Sequence, residues 1–338
     1  MGLRFSGETF EERFLIADVH MPESPFGQGP AERHFWFKPP FHPGQSALLH
    51  KQPDDIYRID LQLGSDANPQ LEKQPERVIP RIRAMVGERP FELDWVSVYS
   101  FTCARLDRFI HGRVIFVGDS AHIVSPFGAR GGNGGIQDVD NLGWKLAAIL
   151  QQRAAAALLG SYDEERTFGA DENIRNSARA TNFMTPKSAM ERIFRDAVLD
   201  LAKSENFARK LVNSGRLSLP CSLHGLSLQR EDEDAMIGRA CPDAPLQQDG
   251  RARWLLEHLQ QCDVNACKLL LPDDWDCPAV PGVAVIRIGK PGPLYQQRFG
   301  EAATLLRPDQ HVLARFTTPA ELEKNLHRAI QTLQGHLS

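Results

Sequence analysis

The chain has 338 residues, of which 24% are charged and 42% hydrophobic, and its formal net charge is −4. This length allows two or three domains, each with its own hydrophobic core. The slightly negative charge and the absence of a Lys/Arg block argue against nucleic acid as a partner, and no run of about 18 apolar residues predicts a membrane span.

The cysteines bear on metal binding and on the redox compartment. They lack CxxC spacing and lie at Cys103, Cys221, Cys241, Cys262, Cys267 and Cys277. Zinc sites and disulfide scaffolds need more regular spacing. The N-terminus also lacks the charged-then-apolar pattern of a signal peptide. We therefore expect reduced thiols, no metal site and a cytoplasmic location.

Residues 1–105 have the pattern of an antiparallel β-sheet. Short β-branched, aromatic or aliphatic runs alternate with turns rich in Pro, Gly and Asp. The predicted strands are Arg13–His20, His34–Lys38, Ser46–Lys51, Ile56–Leu63 and Glu92–Thr102. A helix is predicted over Glu76–Val86 in spite of Pro80.

A strand and two helices are predicted next. Arg113–Val117 is a short apolar run that suits a buried parallel strand. A glycine-rich loop follows it and leads to a helix from about Gly135 to Gln151. A second long helix is predicted over Ser161–Arg179. Its solvated face is expected to carry Glu164, Glu165 and Arg166.

The glycine-rich loop is the candidate ligand site. Gly118 lets the chain leave the strand, and Asp119 is placed to accept hydrogen bonds from sugar or ribityl hydroxyls. Glycines near the start of a helix expose N–H groups that favour an anionic or electron-rich ligand. The alternative is a flexible surface loop in which Asp119 is a turn or cap residue. The combination of strand, Gly-Asp pair, glycine loop and helix favours ligand binding.

The C-terminal third has an alternating pattern of helices and strands. Pro220 and the acidic stretch Arg230–Asp234 mark a predicted domain boundary. Beyond it we predict helices at Arg251–Gln261 and Pro319–Leu337 and strands at Ala266–Leu271, Val283–Ile288 and Val312–Phe316. Elements of this size indicate a small α/β domain. The predicted domains are therefore residues 1–105, 106–220 and 221–338, in an α+β and α/β fold.

The segment RVIFVGDSAHIVSPFGARGGNGGIQDVDNLGWKLA resembles the second FAD fingerprint of the class A flavoprotein monooxygenases, the para-hydroxybenzoate hydroxylase type. Ser161-Tyr162 and Glu165-Arg166 continue the SYxxER run of that family. The resemblance implies that FAD is bound by Gly118, Asp119, Pro126, Gly128, Gly131, Gly132 and Asn133.

The resemblance also implies individual roles. Asp119 would bind the ribityl chain or the pyrophosphate side of FAD, and Pro126 would lie near the isoalloxazine edge. The N–H groups of Gly131, Gly132 and Asn133 would bond the pyrimidine end of the ring. Structural roles are expected for a further set: His122, Asp138 and Lys145. Arg130, which lengthens the glycine loop, either lies over the flavin or points to solvent.

The sheet and the tail have counterparts in the same family. The sheet would be the substrate domain, in which five aromatic residues either line an aromatic pocket or form plain core: Phe35, Phe37, Trp95, Tyr99 and Phe101. No catalytic acid or base is assigned. Leu305–Val312 and Arg315 resemble the thioredoxin-like C-terminal domain of phenol hydroxylase relatives. Without a CxxC motif, we expect this domain to serve packing or dimer formation rather than thiol chemistry.

The family's first motif, a GxGxxG turn that holds the ADP half of FAD, is not found in front of residue 113. The resemblance therefore implies a partial fold, the C-terminal part of an enzyme that hydroxylates a small phenolic substrate with O2 and NADH or NADPH. Its expected partner is a second copy or the missing N-terminal part. The alternative is a non-catalytic remnant or association module that does not hold FAD by itself.

Overall fold

The computed structural model describes residues 1–213, 219–229, 233–248 and 251–335. Its first part is an antiparallel sheet of long and short strands, followed in the sequence by two helices that come before the last strand. These elements are β1 (Ser6–His20), β2 (Arg33–Trp36), β3 (Ala47–Lys51), β4 (Ile56–Gln62), α1 (Pro69–Glu72), α2 (Pro75–Val86) and β5 (Glu92–Arg105). The strand order is β2-β3-β4-β1-β5. All five predicted strands are present, and β1 and β5 are longer than predicted.

The two faces of this sheet differ. Successive side chains of a strand point to opposite faces. Ala17 of β1 and Ile59 of β4 are paired neighbours on the packed face, which α2 covers with Val78 and Ile82. The other face carries Asp60 among other residues. Its aromatic side chains on β5 remain partly in contact with solvent.

The prediction of a buried parallel strand over Arg113–Val117 is wrong for the described structure. Only β7 (Val114–Ile115) is extended, and it pairs antiparallel with β6 (Ile110–His111). Val114 is exposed. A parallel strand needs a parallel neighbour, and the described residues supply none to this run. Past a short 3-10 turn, β8 (His122–Ile123) joins the first sheet beside β5.

Two long helices, α3 (Gly131–Leu150) and α4 (Gly160–Met184), form the centre of the chain. The first begins four residues before the predicted start at Gly135, so the glycines form its first turn. The prediction that Glu165 and Arg166 lie on a solvated face is wrong. They are 0% and 4% exposed. Both form ion pairs with charged groups of other segments, which compensates their burial.

Two shorter helices follow, α5 (Ala189–Leu201) and α6 (Asn206–Asn213). The start of α5 is fixed by a capping box, in which Ser188 and Glu191 bond each other's backbone N–H groups. Part of the predicted acidic boundary, Arg230–Asp234, lies outside the described residues.

The C-terminal part begins with a hairpin of β9 (Pro245–Gln248) and β10 (Arg251–Trp254). The helix predicted from Arg251 therefore starts later, as α7 (Leu255–Leu259), because the preceding residues pair with β9. A four-stranded sheet and two helices follow: β11 (Cys267–Pro272), β12 (Val283–Ile288), α8 (Pro293–Phe299), β13 (Ala303–Leu306), β14 (Val312–Phe316) and α9 (Pro319–Leu333).

This second sheet has the order β12-β11-β13-β14. The pair β11 and β12 is parallel, and the other pairs are antiparallel. Leu322 and Leu326 of α9 share a hydrophobic core with Leu269 of β11 and with Trp144 of α3. The core therefore crosses the predicted boundary at residue 220. Among the described helices, none has both the length and the apolar character needed to cross a membrane.

Candidate functional site

The Gly118-Asp119 turn packs directly against the first turns of α3. Gly118 has a φ of +56°, a backbone conformation that few residues other than glycine adopt. Its N–H donates to Oδ2 of Asp138 at 2.8 Å. A Cβ placed on Gly135 would lie 3.3 Å from the Cα of Gly118. Glycine at both positions therefore permits the close approach of the turn to the helix.

A buried polar cluster holds this turn, the loop and both long helices together. Asp138 of α3 bonds Nε2 of His122 at 2.7 Å and Nε of Arg166 at 2.6 Å. Burial alone would raise the pKa of Asp138, but the hydrogen bond from His122 and the charge of Arg166 outweigh it and lower the pKa. This geometry agrees with the structural role predicted for His122 and Asp138.

The glycine loop and the start of α3 enclose one side of a cavity of about 600 Å³. Four of the predicted cofactor residues line it: Pro126, Gly131, Gly132 and Asn133. Phe101 of β5 lines it from the sheet. The cavity therefore lies between the sheet and the amino end of α3.

The other three predicted residues lie beside this cavity and do not line it. Gly128, with a φ of +94°, is the bend between Pro126 and Ala129. Gly118 contacts α3 at Gly135, as described above. The side chain of Asp119 is exposed. The predicted site thus has two parts, a cavity and an adjoining Gly-Asp turn.

The amino end of α3 presents its N–H groups at the cavity. The intrahelical hydrogen bonds start with the N–H of Gly134, which donates to the carbonyl of Arg130 at 2.8 Å. The N–H groups of Gly131, Gly132 and Asn133 precede that bond, and such groups attract electron-rich ligands. Asn133 also holds the loop, because its Nδ2 donates to the carbonyl of Ala129 at 2.6 Å.

Arg130 does not point to solvent, which was one of its two expected orientations. It is 4% exposed, and Nη1 donates to Oδ1 of Asn173 on α4 at 2.9 Å. The residue nevertheless lines the cavity. Its guanidinium therefore adds positive charge to the wall next to the helix end.

A second buried cluster joins α3 and α4 to the segment before β14. Glu165 accepts hydrogen bonds from Nζ of Lys145 at 2.7 Å, from Nδ2 of Asn141 at 2.7 Å and from Nη2 of Arg307 at 2.9 Å. Arg307 also donates to Asp309 at 2.6 and 3.0 Å. These positions belong to segments that resemble family motifs, but the motifs predict no role for Glu165, Arg307 or Asp309. The role predicted for Lys145, to position the helix, agrees with its place here.

The charges of this cluster compensate one another. Burial would raise the pKa of Glu165, but Arg307 and Lys145 lower it from 4.5 to about 2. Burial lowers the pKa of Lys145 to about 8 in spite of Glu165. Removing one partner of such a buried ion pair lowers the stability of the fold strongly, because the other charge stays buried without compensation. Within the described ranges, no group of His, Cys, Asp or Glu side chains is arranged to hold a metal ion.

Comparison with known proteins agrees with this geometry. The profile of a family described as FAD binding domain matches residues 1–177. A 3-(3-hydroxy-phenyl)propionate/3-hydroxycinnamic acid hydroxylase of Paraburkholderia xenovorans (strain LB400) is 32% identical over 195 residues, which cover 57% of this chain and 30% of that protein.

Solved structures share the fold over almost the whole chain. An anhydrotetracycline hydroxylase from Streptomyces rimosus, OxyS, has a TM-score of 0.71 at 23% identity. The matched region covers 99% of this chain and 66% of the OxyS chain. An aklavinone-11 hydroxylase, solved as a ternary complex with FAD and aklavinone, has a TM-score of 0.74 at 18% identity. The matched region covers 99% of this chain and 64% of the hydroxylase chain.

The chain belongs to the family described as FAD binding domain. The profile matches more than half of the chain and includes the Gly-Asp turn, the glycine loop and the first part of α4. The matched stretch spans less than a third of the curated Paraburkholderia relative, at 30% of its length.

Proposed function

We propose that the chain is the flavin-ring and substrate part of an enzyme that hydroxylates a phenolic ring with FAD, O2 and NADH or NADPH. The observation that carries the proposal is the cavity at the amino end of α3. Its lining by Pro126, Gly131, Gly132 and Asn133 matches the residues that the family fingerprint assigns to the flavin. The bound flavin would supply the redox chemistry.

The fit to the flavin ring rests on shape and on N–H groups. A Cβ on Gly132 would meet no atom within 4 Å, so the missing side chain leaves space for a flat ring next to the backbone. We infer that the N–H groups of Gly131, Gly132 and Asn133 bond the pyrimidine end. The helix end and Arg130 would stabilise negative charge on the reduced ring. Pro126 would border the edge where O2 reacts.

Asp119 and Gly118 are proposed to bind the remainder of the cofactor near the ring. The exposed carboxylate of Asp119 adjoins the first turn of α3 and would accept hydrogen bonds from the ribityl chain, or lie at the pyrophosphate side. Gly128 would shape the loop over the ring. The ADP half would need further residues, from a longer protein or another polypeptide, since the relatives named above are longer than their matched parts.

The proposed organisation keeps three domains: a substrate sheet over 1–105, the flavin part over 106–220 and a thioredoxin-like domain over 221–338. The strand order β12-β11-β13-β14, with one parallel pair, supports the assignment of residues 221–338 to a thioredoxin-like domain. A packing role for this domain is supported by the core that it shares with α3. The six free cysteines agree with a cytoplasmic location. A second copy of the chain stays a proposed partner.

Titration with two cofactor fragments tests the proposal. Lumiflavin, which is the ring alone, should bind one per chain and change its absorbance and fluorescence. ADP should bind much more weakly, because its contacts are proposed to lie in other residues. A chain that binds neither lumiflavin nor FAD at millimolar concentrations would show that the cavity is not a flavin site.

A further inference from the structure

The side of α4 that faces the glycine loop is buried and largely polar. Its residues recur at the spacing of one helix face, and each is at most 4% exposed: Arg166, Ala170, Asn173, Ser177 and Thr181. The buried stripe of a helix is usually apolar, so polar side chains in it need hydrogen-bond partners. Arg166, Asn173 and Thr181 find these partners between residues 125 and 138.

These hydrogen bonds tie α4 to the wall of the cavity. The hydroxyl groups of Thr181 and Ser125 lie 2.7 Å apart, and Ser125 lines the cavity. About two turns earlier in α4, Oδ1 of Asn173 accepts a hydrogen bond from Nη1 of Arg130 at 2.9 Å. Arg130 lines the cavity as well. The arrangement of the glycine loop therefore depends on side chains of α4.

Asn173 is fixed relative to both walls of the cavity. A Cβ on Gly134 would lie 3.4 Å from Nδ2 of Asn173, so the amide lies directly beside the first turn of α3. Two residues earlier, Asp171 accepts two hydrogen bonds from Arg105 at the end of β5, at 2.6 and 2.9 Å. The same strand supplies Phe101 to the cavity. Asn173 is thus held between the sheet and the amino end of α3.

An amide at this place has an electrostatic consequence. Its oxygen accepts a hydrogen bond from a guanidinium but, unlike a carboxylate, adds no negative charge. Asn173 therefore orients the charge of Arg130 without cancelling it. Arg130 lies next to the N–H groups of the first turn of α3, in the same wall. Its orientation decides how strongly its charge acts on a ligand in the cavity.

We propose that Asn173 is a positioning residue that, through Arg130, makes the cavity prefer the reduced flavin ring to the oxidised one. The inference rests on the proposed function and adds a residue of α4, outside the Gly-Asp turn and the glycine loop. Reduction adds two electrons and one proton, which leaves the ring with one negative charge. A cation held in a fixed position stabilises that charge selectively.

The preference is measured with lumiflavin under anaerobic conditions. Titration of the chain with the oxidised form and with the dithionite-reduced form gives both dissociation constants. The parent chain should bind the reduced form about tenfold more tightly. Arg130→Met should remove about that factor, which corresponds to a fall of about 30 mV in the midpoint potential of bound lumiflavin.

Asn173→Leu should lower the preference by about threefold or more, because the guanidinium loses an acceptor that orients it. Asn182→Leu, an exposed substitution on the same helix, should leave the preference unchanged. An unchanged preference in Asn173→Leu overturns the inference. Equal weakening of both redox forms would also overturn it, since that result indicates only a structural role.

A double substitution separates positioning from a general effect on the fold. In the Arg130→Met background, Asn173→Leu should cause no further loss of preference, because the residue through which Asn173 acts is gone. A further loss of similar size overturns the inference.

Asn173→Asp, which hardly changes the size of the side chain, decides the matter if Asn173→Leu does not fold. Its carboxylate would offset the charge of Arg130, so the preference should again fall by about threefold or more. An unchanged preference overturns the inference. The proposed function fails in a different way. A parent chain that binds neither form of lumiflavin overturns both proposals, whereas binding with the same preference in every variant overturns only the role of Asn173.

Discussion

Arg307 and Glu165 are 142 residues apart in the sequence, and the guanidinium of Arg307 bonds both carboxylate oxygens of Glu165. Neither side chain is exposed to solvent. Glu165 belongs to α4 and also bonds Lys145 of α3, the helix whose first turn lines the cavity. A C-terminal side chain is therefore tied to the helices that form the candidate flavin site.

Removal of Arg307 should destabilise the chain strongly. Arg307→Ala leaves Glu165 and Asp309 buried with less compensation, and loss of one partner of a buried pair costs about 3–5 kcal/mol. Urea unfolding should detect this as a lower midpoint. Lys203→Ala, which breaks an exposed pair with Asp200, should change the free energy of unfolding by less than about 0.5 kcal/mol. Equal effects of the two substitutions would contradict the importance of the buried cluster.

Glu165 should also give the chain a pH-dependent stability. Its pKa falls from 4.5 to about 2 on folding, so the stabilisation is present above about pH 4.5 and is lost as the pH drops towards 2. The loss should be on the order of 3 kcal/mol. Glu165→Gln should flatten this part of the stability–pH curve, whereas the exposed Glu205→Gln should leave it unchanged. An unaltered curve for Glu165→Gln would show that other carboxyl groups cause the acid sensitivity.

Gly132→Ala separates ligand binding from stability. A Cβ at Gly132 meets no protein atom within 4 Å, yet it would occupy the cavity. We expect lumiflavin affinity to fall by about tenfold or more, while helix stability rises by up to about 1 kcal/mol. Gly143→Ala, later in α3 and equally unobstructed, should give the same stability gain with normal lumiflavin binding. Normal affinity in Gly132→Ala would remove that residue from the proposed site.

Asp119→Ala should reveal which part of the cofactor this carboxylate binds. Because the side chain is exposed, the thermal midpoint should hardly change. If Asp119 bonds the ribityl chain, riboflavin affinity should fall by about tenfold and lumiflavin affinity should not. A loss confined to FAD would assign it to the pyrophosphate side. The exposed Asp107→Ala is the control, and unchanged affinity for all three flavins would reject Asp119 as a ligand.

The sequence predicted local features better than long-range ones. The strands of residues 1–105 were recognisable because their alternation and turn residues are local signals. Arg113–Val117 was mistaken for a buried parallel strand, since its composition does not reveal whether a parallel neighbour exists. The glycines were placed before α3 instead of in its first turn, because glycine is a poor helix former and tertiary contacts override that tendency.

The charged residues of α4 show the same limit more clearly. Glu165 and Arg166 were assigned to a solvated face because charged residues are seldom buried without partners. Their partners, Arg307 and Asp138, lie on other segments of the chain. All these positions belong to family motifs, but a motif does not predict which residues of separate segments lie close together in the fold. Pro126, Gly131, Gly132 and Asn133 are predicted together because they belong to one continuous motif, and they line the same cavity.

The contact between Arg307 and Glu165 also has a consequence for synthesis on the ribosome. Helices α3 and α4 emerge well before residue 307, and until then Glu165 has Lys145 as its only cationic partner described in this cluster. Packing of the two helices around Glu165 should therefore be less stable at that stage, since buried charge without full compensation is costly. We therefore expect the part of α3 around Lys145 to reach its final position only after Arg307 has been made.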